Sequence, residues 1–541
     1  MKLASTLLGG ATLALAGAAF AQSIEDQTNP NLANPPLWDD LADLEVIRVG
    51  DTFYYTASTM AYSPGAPVLK SYDLANWEYI GHSVPELDFG PEYYLNTSSR
   101  GYVQGIWASS MRYRESDSHF YWIGCIVSTQ NSYVYKAASP EGPWERWSEF
   151  ETCYYDAGLL FDDNDDVYVA YGAYNISVAQ LSFDVTEELS TTLVLESPDV
   201  YLEGSRFYNI NGSYLIAVTR PADAEFILKA DNPYGPYDMK TLVDAIAAPV
   251  DGAGAPHQGG LVDTQDGQWY YTAFIDNYPG GRTPVIAPVT WDEDGFPVIV
   301  ADGDGGWAGS YAMPVITDKL ALSPLGTDSF TGSSLGPEWE WNHNPDNSAW
   351  SLGSGGGRRR QVGLTLSTSS VTTDLFQARN TLTHRIRGPK SRGTFVVDVS
   401  SMADGDRAGM AWFRDRSAYV GVHKSGSTSR VVMVNGITME QSDWSTADEG
   451  AVAEEGPTLS PWSTGSTVHL RVETDIRPAG SLIASFWYSL DGESYAQIGP
   501  DFEEDTDWHF FMGPRYSVFN FATVETGGSV LVKSFTQEAI E

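Results

Sequence analysis

Residues 46–58 read VIRVGDTFYYTAS: an apolar run, a turn built on Gly50 and Asp51, and then an aromatic-rich alternating run. This order of residues is typical of a β-hairpin. Four later stretches repeat it, namely MRYRESDSHFYWIGC (111–125), LLFDDNDDVYVAYG (159–172), RFYNINGSYLIAV (206–218) and LVDTQDGQWYYTAF (261–274). The first half of the chain is therefore predicted to be a repeated β structure.

The spacing of these stretches indicates the kind of repeat. Each carries an aromatic anchor in its second strand, and the anchors lie roughly 45 to 65 residues apart, which is the period of four-stranded propeller blades. The anchors are Tyr54, Tyr121, Tyr168, Tyr214 and Tyr270. Five copies at this period predict a five-bladed β-propeller.

An acidic residue stands three positions ahead of three of the hairpins: Asp43, Asp156 and Glu203. Equivalent positions in different blades of a propeller converge on one axis, so these carboxylates are expected to share a site. Hydrolysis of a glycosidic bond needs such a set: one carboxylic acid protonates the leaving oxygen and a second carboxylate activates water or attacks carbon. A third carboxylate raises the pKa of the acid, because like charges resist joint ionisation.

The second half of the chain has a different pattern. A Gly/Ser/Pro-rich stretch at 323–337 predicts a domain boundary, and the strands predicted beyond it lack the hairpin phrase. They lie at 394–402, 408–415, 418–424, 430–436, 468–475, 484–490 and 529–537. This number of alternating strands suits an antiparallel β-sandwich. We therefore predict an all-β chain with a propeller over residues 22–322 and a sandwich over 323–541.

Composition and charge restrict the partners. The formal net charge of −40, from 71 acidic and 31 basic residues, repels nucleic acid and anionic membranes and favours a neutral substrate. Residues 1–21 resemble a secretory signal, with Lys2, an apolar stretch and the cleavage pattern Ala19-Phe20-Ala21. The mature chain is thus expected to be extracellular. Asn96, Asn175 and Asn211 head glycosylation sequons that are usable in a eukaryotic host.

The chain has two cysteines, Cys125 and Cys153. In an oxidising compartment they could form a disulfide, and the alternative is a pair of buried thiols in neighbouring blades. They cannot make a zinc site by themselves. The acidic run 162–166 resembles a calcium loop, but it falls at a hairpin turn, where Asp and Asn are common turn formers, so no metal site is predicted.

Six phrases resemble, in order, the motifs of family 43 glycoside hydrolases, which are five-bladed propellers that cleave arabinose- and xylose-containing polysaccharides with inversion. These are ADLEVIRVGDTFYYTAST, GIWASSMRY, YDAGLLFDDNDDVYVAYG, LEGSRFYNINGSYLI, PHQGGLVDTQDGQWYY and GRTPVIAPVTW. The resemblance as a whole spans residues 35–300. The family often places its carboxylates in an Asp-Pro-Ser setting. Here the corresponding stretches are Asp43-Leu44-Glu45 and Asp156-Ala157-Gly158.

The resemblance assigns roles to individual residues. It implies that Asp43 is the general base, Asp156 the carboxylate that tunes the acid, and Glu203 the general acid. It further implies contacts with substrate, or a place close to it, for Trp107, Tyr154, His257, Arg282 and Trp508. The resemblance implies no required cofactor. It leaves open whether a structural ion lies near the propeller axis, close to His257.

The phrases WEWNHNPDNSAWSL, LFQARNTLTHRIRGP and DGDRAGMAWF resemble the concanavalin-like sandwich of the xylosidase and arabinofuranosidase branches. The whole chain looks similar to fungal enzymes that release arabinose from doubly substituted xylose units of arabinoxylan. Plant cell-wall arabinoxylan is therefore the expected partner. A β-xylosidase is the alternative within the family, and a non-catalytic carbohydrate-binding propeller is the alternative of another class.

The sandwich is expected to take part in the cleft rather than to form a detachable binding module, because the linker is short. The stretch Asp507-Trp508-His509-Phe510-Phe511 offers rings for sugar stacking. Trp508 and Tyr154, which stands just ahead of Asp156, are expected at the cleft rim. The alternative places Trp508 in the core of the sandwich.

Overall fold

The fold is that of a computed structural model, which describes residues 21–22, 30–353, 362–459 and 466–541. Within those ranges almost all regular structure is β, and the helices are two short 3₁₀ turns, Pro91–Tyr94 and Leu375–Gln377. None of the helices described is long and apolar enough to cross a membrane. The predicted signal sequence lies outside the described residues except for Ala21.

Five antiparallel four-stranded sheets follow one another along the chain. Blade I contains Glu45–Val49, Thr52–Thr56, Gly65–Ser71 and Glu78–Val84. Blade II contains Ser110–Arg114, His119–Ile126, Asn131–Ala137 and Glu145–Phe150. Blade III contains Gly158–Phe161, Val167–Tyr171, Ile176–Leu181 and Glu188–Leu195. Blade IV contains Glu203–Ile210, Ser213–Arg220, Ala224–Ala230 and Asp238–Asp244. Blade V contains His257–Asp263, Trp269–Asp276, Arg282–Trp291 and Pro297–Ile299.

The repeated phrase is the first hairpin of every blade, so the predicted five-bladed propeller is confirmed. In blade I, for example, Val46 pairs with Tyr55 and Val49 with Thr52 across the turn at Gly50 and Asp51. Gly50 has φ +64, a left-handed conformation that glycine adopts at little cost. The sequence predicted these hairpins because alternating apolar residues and a turn signal are both local features.

Strand alternation explains why each blade packs against two neighbours. Successive side chains of a strand point to opposite faces of the sheet. Leu159 accordingly lies in the apolar cluster between blades II and III, while Leu160 lies in the cluster between blades III and IV. Similar clusters fill the other three junctions. The propeller therefore has five wedge-shaped cores arranged around its axis.

The ring is closed by contacts between its first and last segments. Asn31–Ala33 pairs with Ser310–Ala312, and the amide of Asn34 exchanges two hydrogen bonds with the backbone of Ile286, each 2.9 Å long. Arg48, in the first strand of blade I, also forms an ion pair of 2.6 Å with Asp263 in the first strand of blade V. These contacts fix blade I, and the segment that precedes it, against blade V.

The C-terminal half is a sandwich of two antiparallel sheets, as predicted. One sheet has ten strands: Ala21–Gln22, Gly326–Asp328, Trp350–Gly353, Gly363–Ser367, Lys390–Asp398, Thr467–Asp475, Ile483–Ser489, Ala496–Gln497, Phe502–Glu503 and Ser529–Ala539. The other has eight: Tyr62–Ser63, Trp339–Asn342, Leu382–Arg385, Asp406–Phe413, Arg416–Ser425, Thr428–Met439, Thr446–Leu459 and Arg515–Ala522. The exact domain boundaries given above stay a prediction.

The eight-stranded sheet is covered on both faces. Trp412 points into the cluster shared with the ten-stranded sheet, whereas its neighbour Phe413 packs in a cluster with Met60, Tyr62 and Tyr102 of the propeller. Tyr62–Ser63 even adds to this sheet as a strand, pairing with Trp339–Asn342. The two domains thus share a continuous apolar interface and a sheet, which prevents them from moving independently.

A buried ionic cluster lies in the same interface. Glu340 of the sandwich is fully buried and binds the guanidinium groups of Arg385, at 2.7 Å, and Arg515. It also contacts Nε2 of His82 in blade I at 3.1 Å. Burial opposes ionisation of Glu340, but the two guanidinium groups outweigh it and hold the pKa of this carboxyl well below its usual range. Glu340 is therefore a carboxylate that neutralises two buried cations.

We predict that Glu340→Ala destabilises the protein by about 3–5 kcal/mol, because it leaves the guanidinium groups of Arg385 and Arg515 buried without their counter-charge. Urea unfolding followed by tryptophan fluorescence measures the effect. Glu455→Ala is the matched control, since Glu455 pairs with Arg430 at the exposed surface and surface pairs contribute little. Equal unfolding midpoints for the two variants would contradict a structural role for the buried cluster.

Candidate active site

The three carboxyl groups predicted to converge line one cavity of about 390 Å³. Asp43 and Asp156 each stand two residues ahead of the first strand of their blades, Glu45–Val49 and Gly158–Phe161. Glu203 opens the first strand of blade IV, Glu203–Ile210. The innermost strands of blades I, III and IV therefore present these residues at the same end of the propeller axis.

Asp43 is held by four hydrogen bonds. Its two carboxylate oxygens accept from the two terminal nitrogens of Arg282 at 2.8 and 3.1 Å, and Oδ2 also accepts from the hydroxyl of Ser58 at 2.7 Å. Its backbone carbonyl accepts from Arg206 at 2.8 Å. Asp43 has φ +54, a left-handed conformation that Asp tolerates better than most residues. This turn directs the carboxylate into the cavity.

Glu203 lies in a different environment. Its Oε2 accepts a hydrogen bond of 2.9 Å from the hydroxyl of Tyr155. Burial raises the pKa of Glu203, and the charge of Asp43 raises it further, while hydrogen bonds from Tyr201 and Tyr155 partly offset this rise. Glu203 is thus suited to hold a proton at a pH where an exposed carboxyl would have lost it.

Asp156 contacts the backbone next to Glu203. Its Oδ2 accepts from the amide of Gly204 at 3.0 Å. Gly204 lies in a bulge with φ +70, where a Cβ would approach Gln258 and Thr219 to 2.9 Å, so only glycine fits. Burial raises the pKa of Asp156 well above its usual value, and the charges of Glu203 and Asp43 raise it further. Asp156 and Glu203 therefore compete for a proton and resist joint ionisation.

Arg206 connects the segments that carry these carboxyl groups. Its guanidinium group is fully buried and donates to the carbonyls of Asp43 and Leu44 in blade I at 2.8 and 3.3 Å. It also donates to the carbonyls of Ser205, at 2.9 Å, and of Ala157 in blade III, at 3.5 Å. The sequence pattern did not single out Arg206, although it stands three residues after Glu203.

The wall of the cavity is mostly apolar and comes from both domains. Met60, Trp107, Ala108, Tyr155, Tyr201, Pro221 and Gln258 belong to the propeller, and Trp508 and Phe511 come from the sandwich. The carbonyl of Phe511 accepts from Nε of Arg282 at 3.1 Å, so a sandwich loop touches the partner of Asp43. Trp508 is 51% exposed and its ring stacks on His509. It lies at the rim of the cavity and not in the sandwich core.

One expectation is corrected. Tyr154 does not reach the rim: it is fully buried between Phe150 and Tyr171, and its hydroxyl donates to Glu188 at 2.7 Å. Its neighbour Tyr155, which lies in the turn that precedes the first strand of blade III, lines the cavity instead. Both residues are tyrosines in one short segment, so the sequence alone does not indicate which of them lines the cavity.

His257 does not line the cavity itself, but it lies close enough for the charges of Arg282 and Asp43 to act on its ring. Its Nδ1 lies 2.9 Å from the carbonyl of Ala255 and its ring packs on Phe274. Burial lowers its pKa, which favours a neutral ring, and the next residue, Gln258, lines the cavity. The described part of the chain contains no group of three or more His, Cys, Asp or Glu side chains that could hold a metal ion. An ion near the axis stays a prediction.

The remaining predicted positions lie away from the cavity. Cys125 and Cys153 form a disulfide that links the second strand of blade II to the segment leading into blade III. Asn96, Asn175 and Asn211 are all exposed. The acidic run at 162–166 forms the hairpin turn of blade III, where Oδ1 of Asp162 accepts from the amides of Asn164 and Asp166. Its acidic residues serve the turn itself.

Comparison with known families gives two matches. Residues 32–297 match the family model for glycosyl hydrolases family 43, and residues 327–538 match that for the β-xylosidase C-terminal concanavalin A-like domain. Among curated proteins, a β-xylosidase of Formosa agariphila is 27% identical over 95% of this chain and 91% of its own length. A non-reducing end α-L-arabinofuranosidase of Bacteroides ovatus is 28% identical over 64% of this chain and 68% of its own.

Solved structures give a higher similarity. One is 46% identical, with a TM-score of 0.90, and the alignment covers 94% of this chain and all of that one. It comes from work in which engineering the active site of a GH43 glycoside hydrolase generated an enzyme with both endo-xylanase and exo-arabinofuranosidase activity. A bifunctional GH43-CE protein of Bacteroides eggerthii is 31% identical, with a TM-score of 0.81, over 94% of this chain and 63% of that one.

We predict that Asp156→Asn lowers the pKa of Glu203, because the like charge that opposes its ionisation is removed. Asparagine retains an oxygen that can accept from the amide of Gly204, so the fold should persist. Carboxyl ¹³C NMR titration measures this pKa. Asp163→Asn, an exposed change in the same blade, should leave it unaltered. A pKa of Glu203 that stays the same or rises in Asp156→Asn would contradict the coupling of the two groups.

Proposed function

The chain belongs to glycosyl hydrolase family 43 and is therefore a glycoside hydrolase, and from that premise we propose that it releases arabinose from arabinoxylan with inversion at the anomeric carbon. In this proposal Asp43 is the general base, Glu203 the general acid, and Asp156 the group that keeps Glu203 protonated. Family membership sets aside the alternative of a propeller that only binds carbohydrate.

The observation that carries the proposal is the unequal surroundings of Asp43 and Glu203 in one cavity. Asp43 accepts a bidentate pair from Arg282, an interaction made by the ionised carboxylate. Glu203 faces phenol groups and other carboxyl groups, and its pKa is raised. Two carboxyl groups whose environments separate their protonation states supply the acid and the base of glycoside hydrolysis.

The proposed reaction is a single displacement. A water molecule attacks the anomeric carbon while Asp43 accepts one of its protons, and the bond from that carbon to the leaving oxygen breaks. Glu203 transfers its proton to this oxygen, so the leaving chain departs as an alcohol. Asp43 ends protonated and Glu203 ionised, and exchange with solvent restores both. Arg282 keeps the Asp43 carboxylate in place by its planar fork.

Support for arabinose comes from the 46% sequence identity to a GH43 structure from work whose engineered enzyme displays exo-arabinofuranosidase activity together with endo-xylanase activity. The apolar wall and the absence of charge on a pentose agree with a neutral sugar in the cavity. A β-xylosidase remains the second candidate, because the relative from Formosa agariphila is named a β-xylosidase and that from Xylanibacter ruminicola a putative β-xylosidase. A preference for doubly substituted xylose units belongs to the same proposal.

We also propose that the protein is secreted. The N-terminal pattern resembles a signal sequence, and the Cys125–Cys153 disulfide suits an oxidising compartment, where such bonds persist. The many acidic side chains would keep an extracellular protein soluble. Arabinoxylan, a polymer of the plant cell wall, is accessible only to an enzyme outside the producing cell.

The test is incubation of the purified protein with arabinoxylan and, separately, with xylobiose, followed by chromatography of the monosaccharides released. We expect arabinose from arabinoxylan and little xylose from xylobiose. Glu203→Gln should lower the release by orders of magnitude, since the proton donor is lost, and should affect aryl glycosides with good leaving groups least. Glu455→Gln, remote and exposed, is the control. Xylose from xylobiose alone would establish the second candidate and contradict the first.

A further inference from the structure

An exposed tyrosine stands beside the cavity without having been assigned a role. Tyr174 lies in the turn between the second and third strands of blade III and is 46% exposed. We infer that Tyr174 forms a stacking subsite for a sugar ring of the polysaccharide from which the terminal residue is cleaved. This inference rests on the proposed hydrolysis of a polysaccharide.

The turn holds Tyr174 in a defined place. Its φ is +60, a left-handed conformation that is uncommon for a bulky residue. Its amide donates to the carbonyl of Leu202 at 2.9 Å, the residue just ahead of Glu203. The backbone of Tyr174 is therefore held next to the strand that carries Glu203.

Ring contacts connect Tyr174 to the cavity. Its ring meets that of Tyr201 edge to face, with centroids 4.6 Å apart and an interplanar angle of 89°. Tyr201 lines the cavity, and its hydroxyl interacts with Glu203. An edge-to-face contact uses at most one face of each ring, so at least one face of Tyr174 is left for another partner.

The chemistry of Glu203 determines what that partner is. As the proposed acid, Glu203 must lie next to the leaving oxygen, so the rest of the polysaccharide leaves the cavity on the side of Glu203. Tyr201 and then Tyr174 extend outward from that same residue. An aromatic face at this position presents a flat apolar surface with a polar edge, which suits the C–H face of a pyranose ring in the leaving chain.

Binding can be tested without turnover in the Glu203→Gln background. Affinity electrophoresis through a gel containing arabinoxylan compares Glu203→Gln with Glu203→Gln/Tyr174→Ala. We expect Tyr174→Ala to raise the apparent dissociation constant for arabinoxylan roughly fivefold, so the double variant should be retarded less than Glu203→Gln alone. Tyr174→Phe should retain the binding because the ring remains. Phe183→Ala, which removes a 63% exposed ring elsewhere on blade III, should have no effect. Equal retardation with and without the Tyr174 ring would overturn the inference.

Turnover of the otherwise unmodified enzyme separates this role from a purely structural one. We expect Tyr174→Ala to raise KM for arabinoxylan roughly fivefold and to leave hydrolysis of a small aryl arabinofuranoside unchanged. Equal losses on both substrates, together with a shifted pH profile, would show instead that Tyr174 only supports Tyr201 and Glu203, and would refute the subsite. A parent enzyme that cleaves neither substrate would refute the proposed function, while the gel experiment would still decide the subsite.

Discussion

The arrangement of the site depends on the hydrogen bonds that the guanidinium group of Arg206 donates. A propeller brings the starts of its innermost strands close together. The fold alone, however, does not hold the groups on these strands at hydrogen-bonding distance from one another. Arg206 does so for blades I, III and IV at once, through the carbonyls of Asp43, Ala157 and Ser205. The planar fork of arginine can serve several acceptors in fixed directions, which the ammonium group of lysine cannot. Asp43 is the proposed base, Ala157 directly follows Asp156, and Ser205 stands two residues after Glu203.

The sandwich takes part in the same arrangement from the outside. Arg385 of the sandwich donates to the carbonyl of Asp40 at 3.0 Å, and the carboxylate of Asp40 accepts from the amide of Arg282 at 2.8 Å. The carbonyl of Phe511 binds the guanidinium group of Arg282. Asp43 is thereby positioned by Arg282, which is itself held by both domains. This explains why the interface is apolar and ionic and includes a shared sheet: a movement of the sandwich would displace the partner of Asp43 and open the cavity wall.

The sequence predicted those structural features that local residue patterns determine. The five hairpins, the sandwich strands and the register of Asp43, Asp156 and Glu203 follow from alternation, turn residues and position in the repeat. It could not choose between Tyr154 and Tyr155, because the choice depends on which face of one short segment turns inward. The exposed strand Thr446–Leu459 was also missed, since its acidic and small residues lack an apolar alternation. Arg206 and Tyr174 were missed because their importance arises from contacts between blades that no local pattern records.

The central claim is that Asp43 and Glu203 act on opposite sides of the scissile bond in one displacement, with water as the nucleophile. The most direct test is ¹H NMR of the sugar during the first minutes of hydrolysis, before its anomers equilibrate. The account predicts that the first sugar to accumulate has the anomeric configuration opposite to that of the bond cleaved. A first product of retained configuration would require a covalent intermediate on the enzyme and would contradict the assignment of Asp43 as a base.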